Sequence, residues 1–140
     1  MKNEIYPCLW FDGLAYEAAE FYCSVFPDSE ILETNPVVTL FILNGNKFMA
    51  LNGGDMFKFN ESVSFVVECE DQERIDYYWE KLTQEGEESM CGWLKDKYGV
   101  SWQIVPDGLA EMLKDGDKAQ RIFQVISPMR KLDYSAIKNA

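Results

Sequence analysis

The chain has 140 residues, of which 47% are hydrophobic and 14% aromatic, so it can bury the core of one globular domain. It carries 24 acidic and 13 basic residues and no histidine, which gives a formal net charge of −11. This charge balance argues against nucleic acid and anionic lipid as partners, because both require a surface rich in Lys and Arg. The apolar runs are far too short to cross a bilayer. Solubility is the simplest explanation of the acid excess, and attraction of a cationic ligand is the alternative.

The cysteines and the amino terminus predict a reducing, cytoplasmic location. Cys8, Cys23, Cys69 and Cys91 are scattered without a CxxC pair, so neither a zinc knuckle nor a thioredoxin-type redox pair is predicted. The first three lie within apolar patterns and are predicted to be buried thiols. The opening segment MKNEIYP lacks the apolar core of a signal peptide.

The first half of the chain predicts one helix among short strands. The helix begins near Leu14 and stops at Pro27, because apolar residues recur there with helical spacing. Asn44-Gly45 predicts a tight hairpin, and Asn52-Gly53-Gly54-Asp55 predicts a flexible closing turn rather than a nucleotide-binding loop. The predicted strands cover 5–11, 30–33, 37–43 and 47–51. The predicted apolar face of the helix consists of Ala15, Ala18, Ala19, Tyr22, Val25 and Phe26.

The second half repeats this plan. Asp71 is the predicted N-cap of a helix that runs to Glu85. The residue triplet 48–50 aligns with the triplet 102–104, which indicates an internal repeat. The predicted strands cover 62–69, 87–94 and 100–105. The buried stripe of the helix consists of Ile75, Tyr78, Trp79 and Leu82.

The tail is predicted to be helical. Pro106 suits the first position of one helix, and Asp117 suits the N-cap of a second. Ile122, Phe123 and Ile126 form the apolar face of this second helix, and a last short helix is predicted within 129–140. Such an amphipathic tail either covers the sheet or joins a partner subunit.

Strand alternation separates two neighbouring residues near the end of the second half. Side chains of consecutive strand residues point to opposite faces, so Trp102 and Gln103 face different surroundings. Trp102 is predicted to pack toward the helices. Gln103 is then left on the other face, where it either lines a ligand site or satisfies a buried hydrogen bond.

Five stretches carry a family resemblance that runs along nearly the whole chain. They read PCLWFDG, AEFYCSVFPDSE, LNGNKFMALNGG, SFVVECEDQERIDYYWEKL and CGWLKDKYGVSWQIVP. With these, the chain resembles the PhnB-like branch, often labelled demethylubiquinone methyltransferase-like, of the glyoxalase/bleomycin-resistance/dioxygenase (vicinal oxygen chelate) superfamily. The resemblance implies an α+β fold in a single domain, 1–140. Two βαβββ modules, about 1–56 and 57–106, form a cup-shaped, mostly antiparallel eight-stranded sheet, with helices outside and a C-terminal helical tail, 107–140. It also implies a homodimer.

The resemblance locates four positions where metal-dependent members carry ligands, usually histidine or glutamate. Each module contributes one from the start of its first strand and one from its last strand. Strand register places Tyr6, Met49, Ser64 and Gln103 there. Because none is a histidine or a carboxylate, we expect no metal site, and no other cofactor is expected.

These observations predict a protein that binds a small, partly aromatic molecule inside the cup. Alternatives are an enzyme acting on a quinone-like or aromatic substrate, with unassigned catalytic residues, and a protein-interaction role of the dimer or tail. The chain lacks GxGxxG, so the methyltransferase label finds little support in its motifs. The candidate ligand-binding residues, which face the cavity by alternation, are Tyr6, Cys8, Trp10, Met49, Ser64 and Gln103.

Overall fold

Each half of the chain folds as a strand, a helix and three further strands. The computed structural model describes residues 4–140. It divides into a first unit that ends at Phe59 and a second unit, Asn60–Ala140, which includes the tail. The segment MKNEIYP, for which no signal peptide is predicted, begins with residues 1–3, and these lie outside the described residues. Within 4–140, no helix has the length and apolar character needed to span a membrane.

The first unit is built on a four-stranded mixed sheet with the order β1-β4-β3-β2. β1 pairs in parallel with β4, and the other pairs are antiparallel. The predicted hairpin between β3 and β4 is confirmed, since Asn44 and Gly45 have φ values of 48° and 84°. The elements are β1 (Cys8–Phe11), α1 (Ala15–Val25), β2 (Glu30–Thr34), β3 (Val38–Leu43) and β4 (Asn46–Asn52).

The second unit has the same topology, with the order β5-β8-β7-β6 and a parallel β5–β8 pair. The internal repeat is therefore confirmed. The single strand predicted over 87–94 is wrong, because a turn divides it. In that turn Cys91 and Gly92 have φ values of 61° and 83°, and their N–H groups donate to the carbonyls of Met129 and Arg130. The elements are β5 (Ser64–Cys69), α2 (Gln72–Thr83), β6 (Glu87–Glu88), β7 (Trp93–Lys95) and β8 (Ser101–Pro106).

Both helices bury the faces that the sequence predicts. Every residue of the predicted α1 face is buried, and so is every residue of the α2 stripe. The α2 N-cap is also confirmed, because the Asp71 side chain accepts a hydrogen bond from the Arg74 N–H at 2.8 Å. The two aligned triplets have the same burial pattern, with Met49 and Gln103 half-buried between buried neighbours. The α+β fold of paired βαβββ units is thus confirmed, whereas one continuous eight-stranded cup stays a prediction.

The tail packs on its own unit through three short helices. Its apolar cluster joins Val105 of β8 to Ile122, Ile126, Leu132 and Ile137. The helices are α3 (Leu109–Met112), α4 (Gly116–Ile126) and α5 (Tyr134–Lys138).

Three details of the predicted tail are wrong. Pro106 is the last residue of β8 and not a helix start. The N-cap of α4 is Asp115, whose side chain accepts from the N–H groups of Asp117 and Lys118. Phe123 remains 54% exposed, because the buried stripe of α4 runs through Ile122 and Ile126, which are four positions apart, and Phe123 lies beside that stripe.

Candidate functional site

Two cross-strand rows of side chains cover the face of the second sheet opposite the buried Trp102. The first row is Ser64, Ser101, Lys95 and Glu87, which are neighbours in register across β5, β8, β7 and β6. The second row is Val66, Gln103 and Trp93. Because register partners share a face of the sheet, these seven side chains form one surface, which we call the open face.

A polar pair lies at the centre of the open face. The Gln103 side-chain amide donates a hydrogen bond to Ser64 Oγ at 2.9 Å, diagonally between the two rows. Both residues are half-buried. The neighbouring Trp93 is half-buried and Val66 is 56% exposed, so the pair lies among apolar side chains. The structure therefore brings together two of the six predicted ligand-binding residues.

A cavity of about 450 Å³ lies in the second unit, beside β6 and β7. Lys95 at its wall forms an ion pair with Glu61, with Nζ–Oε1 at 3.3 Å. The pKa of Glu61 lies below its usual range, because its own backbone N–H and then the Lys95 ammonium stabilise the ionised carboxylate. The lining residues are Glu61, Glu87, Glu88, Ser89, Met90, Cys91, Trp93, Leu94, Lys95 and Ser101.

A buried carboxylate holds the turn that connects β7, at this cavity, to β8. Asp96 is only 3% exposed. Its Oδ1 accepts from the N–H groups of Tyr98 (2.8 Å) and Val100 (3.1 Å), and its Oδ2 accepts from Trp102 Nε1 (2.9 Å). This residue is not among those predicted from the sequence. An Asp followed by a Gly three positions later is typical of such a turn and was the available signal.

The other four predicted residues lie in the first unit. Cys8 and Met49 are register partners across β1 and β4, which places them side by side. The Tyr6 ring lies under the Lys47 ammonium, 4.5 Å from the ring centroid. These contacts place Tyr6, Cys8 and Met49 on the face of the first sheet that corresponds to the open face of the second.

Trp10 already has structural partners. Its indole N–H donates to the Gly54 carbonyl at 2.9 Å, and its ring meets Phe57 edge-to-face with centroids 5.0 Å apart. A Cβ at Gly53 would lie 2.4 Å from the ring carbons, so only glycine fits beneath it. The glycines of the predicted closing turn are therefore explained by close packing against Trp10 and not by phosphate binding.

Three of the four cysteines are not in the environments of activated nucleophiles. Cys69 is 1% exposed, and desolvation by burial raises its pKa to about 12, so its predicted burial is confirmed. The predicted burial of Cys8 is wrong, because Cys8 is exposed on the edge strand β1. Partial desolvation nonetheless raises the pKa of the Cys8 thiol, which disfavours the reactive thiolate. Cys23 was also predicted to be buried but is only half-buried, and desolvation raises the pKa of its thiol as well.

The four positions expected from the metal-dependent members do not form a suitable donor set. They offer a phenol (Tyr6), a thioether (Met49), a hydroxyl (Ser64) and an amide (Gln103), and the last two are bonded to each other. Divalent transition metals prefer imidazole, carboxylate or thiolate. In the described part of the chain, moreover, no three His, Cys, Asp or Glu residues are grouped so that they could hold an ion. The residues present do not fit the superfamily metal.

Comparisons with known proteins agree with this architecture. A PhnB protein from Bacillus cereus is 37% identical with a TM-score of 0.66, and the match covers 74% of this chain and 99% of that one. The fosfomycin resistance protein FosX from Listeria monocytogenes, complexed with Mn(II) and sulfate, is 15% identical with a TM-score of 0.62, covering 81% and 97%. A glyoxalase-related enzyme from Fulvimarina pelagi is 13% identical with a TM-score of 0.50, covering 74% and 87%. Among curated proteins, none matches.

These likenesses define a protein of the glyoxalase fold. The family model described as 3-demethylubiquinone-9 3-methyltransferase matches residues 3–105. The chain belongs to that family, the PhnB-like branch of the glyoxalase superfamily.

Proposed function

We propose that this chain binds a small, partly aromatic molecule on the open face, without a resident metal. The hydrogen-bonded pair of Gln103 and Ser64 supports this proposal most directly, since it lies half-buried beside Trp93 and Val66. Small-molecule sites combine apolar walls with a few polar groups that fix orientation. The amide and the hydroxyl are the orienting groups, and the indole is the wall on which a planar ring packs.

A thermal-shift screen of neutral aromatic compounds, such as phenol, hydroquinone and benzyl alcohol, tests this proposal. A ligand that binds the folded state raises the melting temperature by mass action, with about 2.7 kcal/mol of stabilisation at one hundred times its Kd. Gln103→Ala is expected to abolish the shift. Gln124→Ala makes the same change at an exposed position of α4 and serves as the matched control. The proposal fails if no compound raises the melting temperature, or if Q103A responds like Q124A.

The family supports a second candidate, an enzyme that acts on a quinone-like aromatic substrate. Its model is described as a methyltransferase, and it covers most of this chain. A methyl donor nucleotide usually binds a Gly-rich loop between a strand and a helix. Here Gly53 and Gly54 follow β4 and are packed against Trp10, which argues against methyl transfer at this loop. Calorimetric titration with S-adenosylmethionine decides the matter, because measurable binding would support the methyltransferase and its absence would exclude it.

We also propose that the chain forms a homodimer. The edge strand β2 carries Leu32, which is 46% exposed, and Val37 just before β3 is 57% exposed. Exposed apolar side chains of this size suit a subunit interface. Light scattering after size-exclusion chromatography is expected to give twice the mass of 16.2 kDa, and a monomer at every concentration would contradict the proposal.

A further inference from the structure

The floor of the cavity beside β6 and β7 contains a hydroxyl without a partner. Ser101 is 1% exposed, and in the described part of the chain its Oγ is a buried side-chain atom that makes no hydrogen bond. A buried hydroxyl without a partner is costly, typically about 1–3 kcal/mol. Ser101 lies in register between Ser64 and Lys95 and lines the cavity. A polar group that binds in the cavity reaches this hydroxyl, and becomes its partner, when the side chains that cover the hydroxyl move aside.

The charge of the cavity favours a cation. Three glutamates and one lysine line it, and the formal sum of −3 and +1 is −2. The single ammonium, Lys95, is already paired with Glu61. Glu87 follows Lys95 in the same cross-strand row, one strand further from Ser101, and both Glu87 and Ser101 line the cavity.

Apart from Ser89, the remaining lining residues are apolar or aromatic. Trp93 and Met90 line the cavity, and an indole face attracts cations as well as rings. The volume of about 450 Å³ falls in the range of roughly 300–1,000 Å³ that small-molecule pockets occupy.

We propose that the ligand of the open face carries a protonated amine beside its aromatic ring, and that this cavity binds the amine. The ammonium donates to Ser101 Oγ and pairs with Glu87, while the ring packs on Trp93. The inference rests on the proposed function, because Ser64 and Gln103 are the register neighbours of Ser101 and Trp93. The inference adds two features to the proposed function: the positive charge of the ligand and the serine hydroxyl that binds it.

Titrations of the full-length chain with benzylamine, benzyl alcohol and benzoate at neutral pH test the inference. The three probes share a ring and differ in charge. Benzylamine is expected to bind at least tenfold more tightly than benzyl alcohol, and benzoate least, with the preference weakening as salt is added. Ser101→Ala is expected to weaken benzylamine about tenfold, which equals 1.4 kcal/mol, and Glu87→Gln about fivefold. S101A removes a hydroxyl without a partner, so it is expected to melt no lower than the native protein.

The controls separate this inference from the function on which it rests. Glu80→Gln makes the same charge change at an exposed position of α2 and is expected to leave benzylamine binding unchanged. Equal weakening by E80Q and E87Q would show attraction by the general acidic field and overturn the site. An unchanged affinity in S101A would show that water satisfies the hydroxyl, and would overturn it too. If benzyl alcohol binds as tightly as benzylamine and requires Gln103, the inference fails while the proposed function stands. If none of the three probes binds, the inference fails, and the neutral-compound screen with Q103A decides the proposed function separately.

Discussion

The hydrogen bond between Asp96 and Trp102 joins the turn between β7 and β8 to the core, and its contribution to stability can be measured with a double-mutant cycle. Asp96 accepts two backbone N–H groups on one oxygen and the Trp102 indole N–H on the other. Asp96→Asn keeps the side-chain size and one acceptor oxygen. In this variant the new amide N–H group faces the indole N–H, so that two donors meet at 2.9 Å where a donor met an acceptor.

The magnitude follows from these contacts. Hydrogen bonds to a charged group contribute about 1.5–3 kcal/mol, and the amide keeps two of the three bonds in their weaker neutral form. We therefore expect D96N to lower the free energy of unfolding by about 2–3 kcal/mol. In Trp102→Phe the indole N–H is absent, so D96N should cost only about 1 kcal/mol there, a coupling of 1–2 kcal/mol.

Urea denaturation followed by circular dichroism measures all four proteins, since fluorescence would change with the loss of Trp102. The slope of the free energy against urea should stay constant, because the surface exposed on unfolding is unchanged. Asp55→Asn makes the same change at an exposed position and should lie within about 0.5 kcal/mol of the native protein. If D96N costs the same in both backgrounds, the two residues are not coupled and the reasoning is refuted.

Three further predictions concern other parts of the chain. Gly53→Ala places a Cβ 2.4 Å from the Trp10 ring, and the overpacking should cost about 1–3 kcal/mol in the same denaturation assay. The Tyr134 hydroxyl, and then Lys138, lowers the pKa of the Asp107 carboxyl, so the associated stability is present above the usual aspartate pKa and is lost as the pH falls through the lowered one. An NMR titration should show this low pKa, and Y134F should raise it. The Cys69 thiol, with a pKa of about 12, should react with a thiol reagent at pH 8 only as fast as the protein unfolds.

Each of these three predictions has a control or an outcome that would contradict it. Gly116→Ala adds a Cβ with nothing within 4 Å, so it should not destabilise, and an equal loss in both glycine variants would contradict the Trp10 argument. An Asp107 pKa that Y134F leaves in place would mean that Lys138 alone sets it. Cys8 is exposed and should react in the folded protein, so equal rates for Cys8 and Cys69 would show that the burial of Cys69 is wrong.

The helices could be predicted from the sequence because their evidence is local. Apolar residues spaced three and four apart on α1 and α2 define a face whatever else the chain does, and every member of both faces is buried. The Asn44-Gly45 hairpin is equally local, since the turn itself demands positive φ. In these segments the residues that decide the structure are close neighbours in the chain.

The error over 87–94 arose because distant contacts decide the structure there. The strand predicted over 87–94 breaks at Cys91, a residue type that does not favour positive φ. Hydrogen bonds from Cys91 and Gly92 to Met129 and Arg130, nearly forty positions away, hold that turn. The Asp–Gly spacing indicates the turn at Asp96 but not its burial, because aspartate is rarely buried without partners and one partner, the Trp102 indole, lies outside the turn.

The candidate site could be predicted only in part, because the sequence shows which face a strand residue occupies but not its partners on neighbouring strands. Alternation alone places Gln103 and Ser64 on one face, but their hydrogen bond depends on the register of two parallel strands thirty-nine positions apart. The flanking residues Trp102 and Ile104 are 3% and 0% exposed and pack the core, so they are constrained by volume. Gln103 lies between them on the opposite face of the strand and is only half-buried, so it is not part of that core. An amide at such a position leaves the core intact, so the packing of the fold constrains this side chain only weakly, and resemblance to the superfamily predicts the fold better than it predicts the polar groups on the open face.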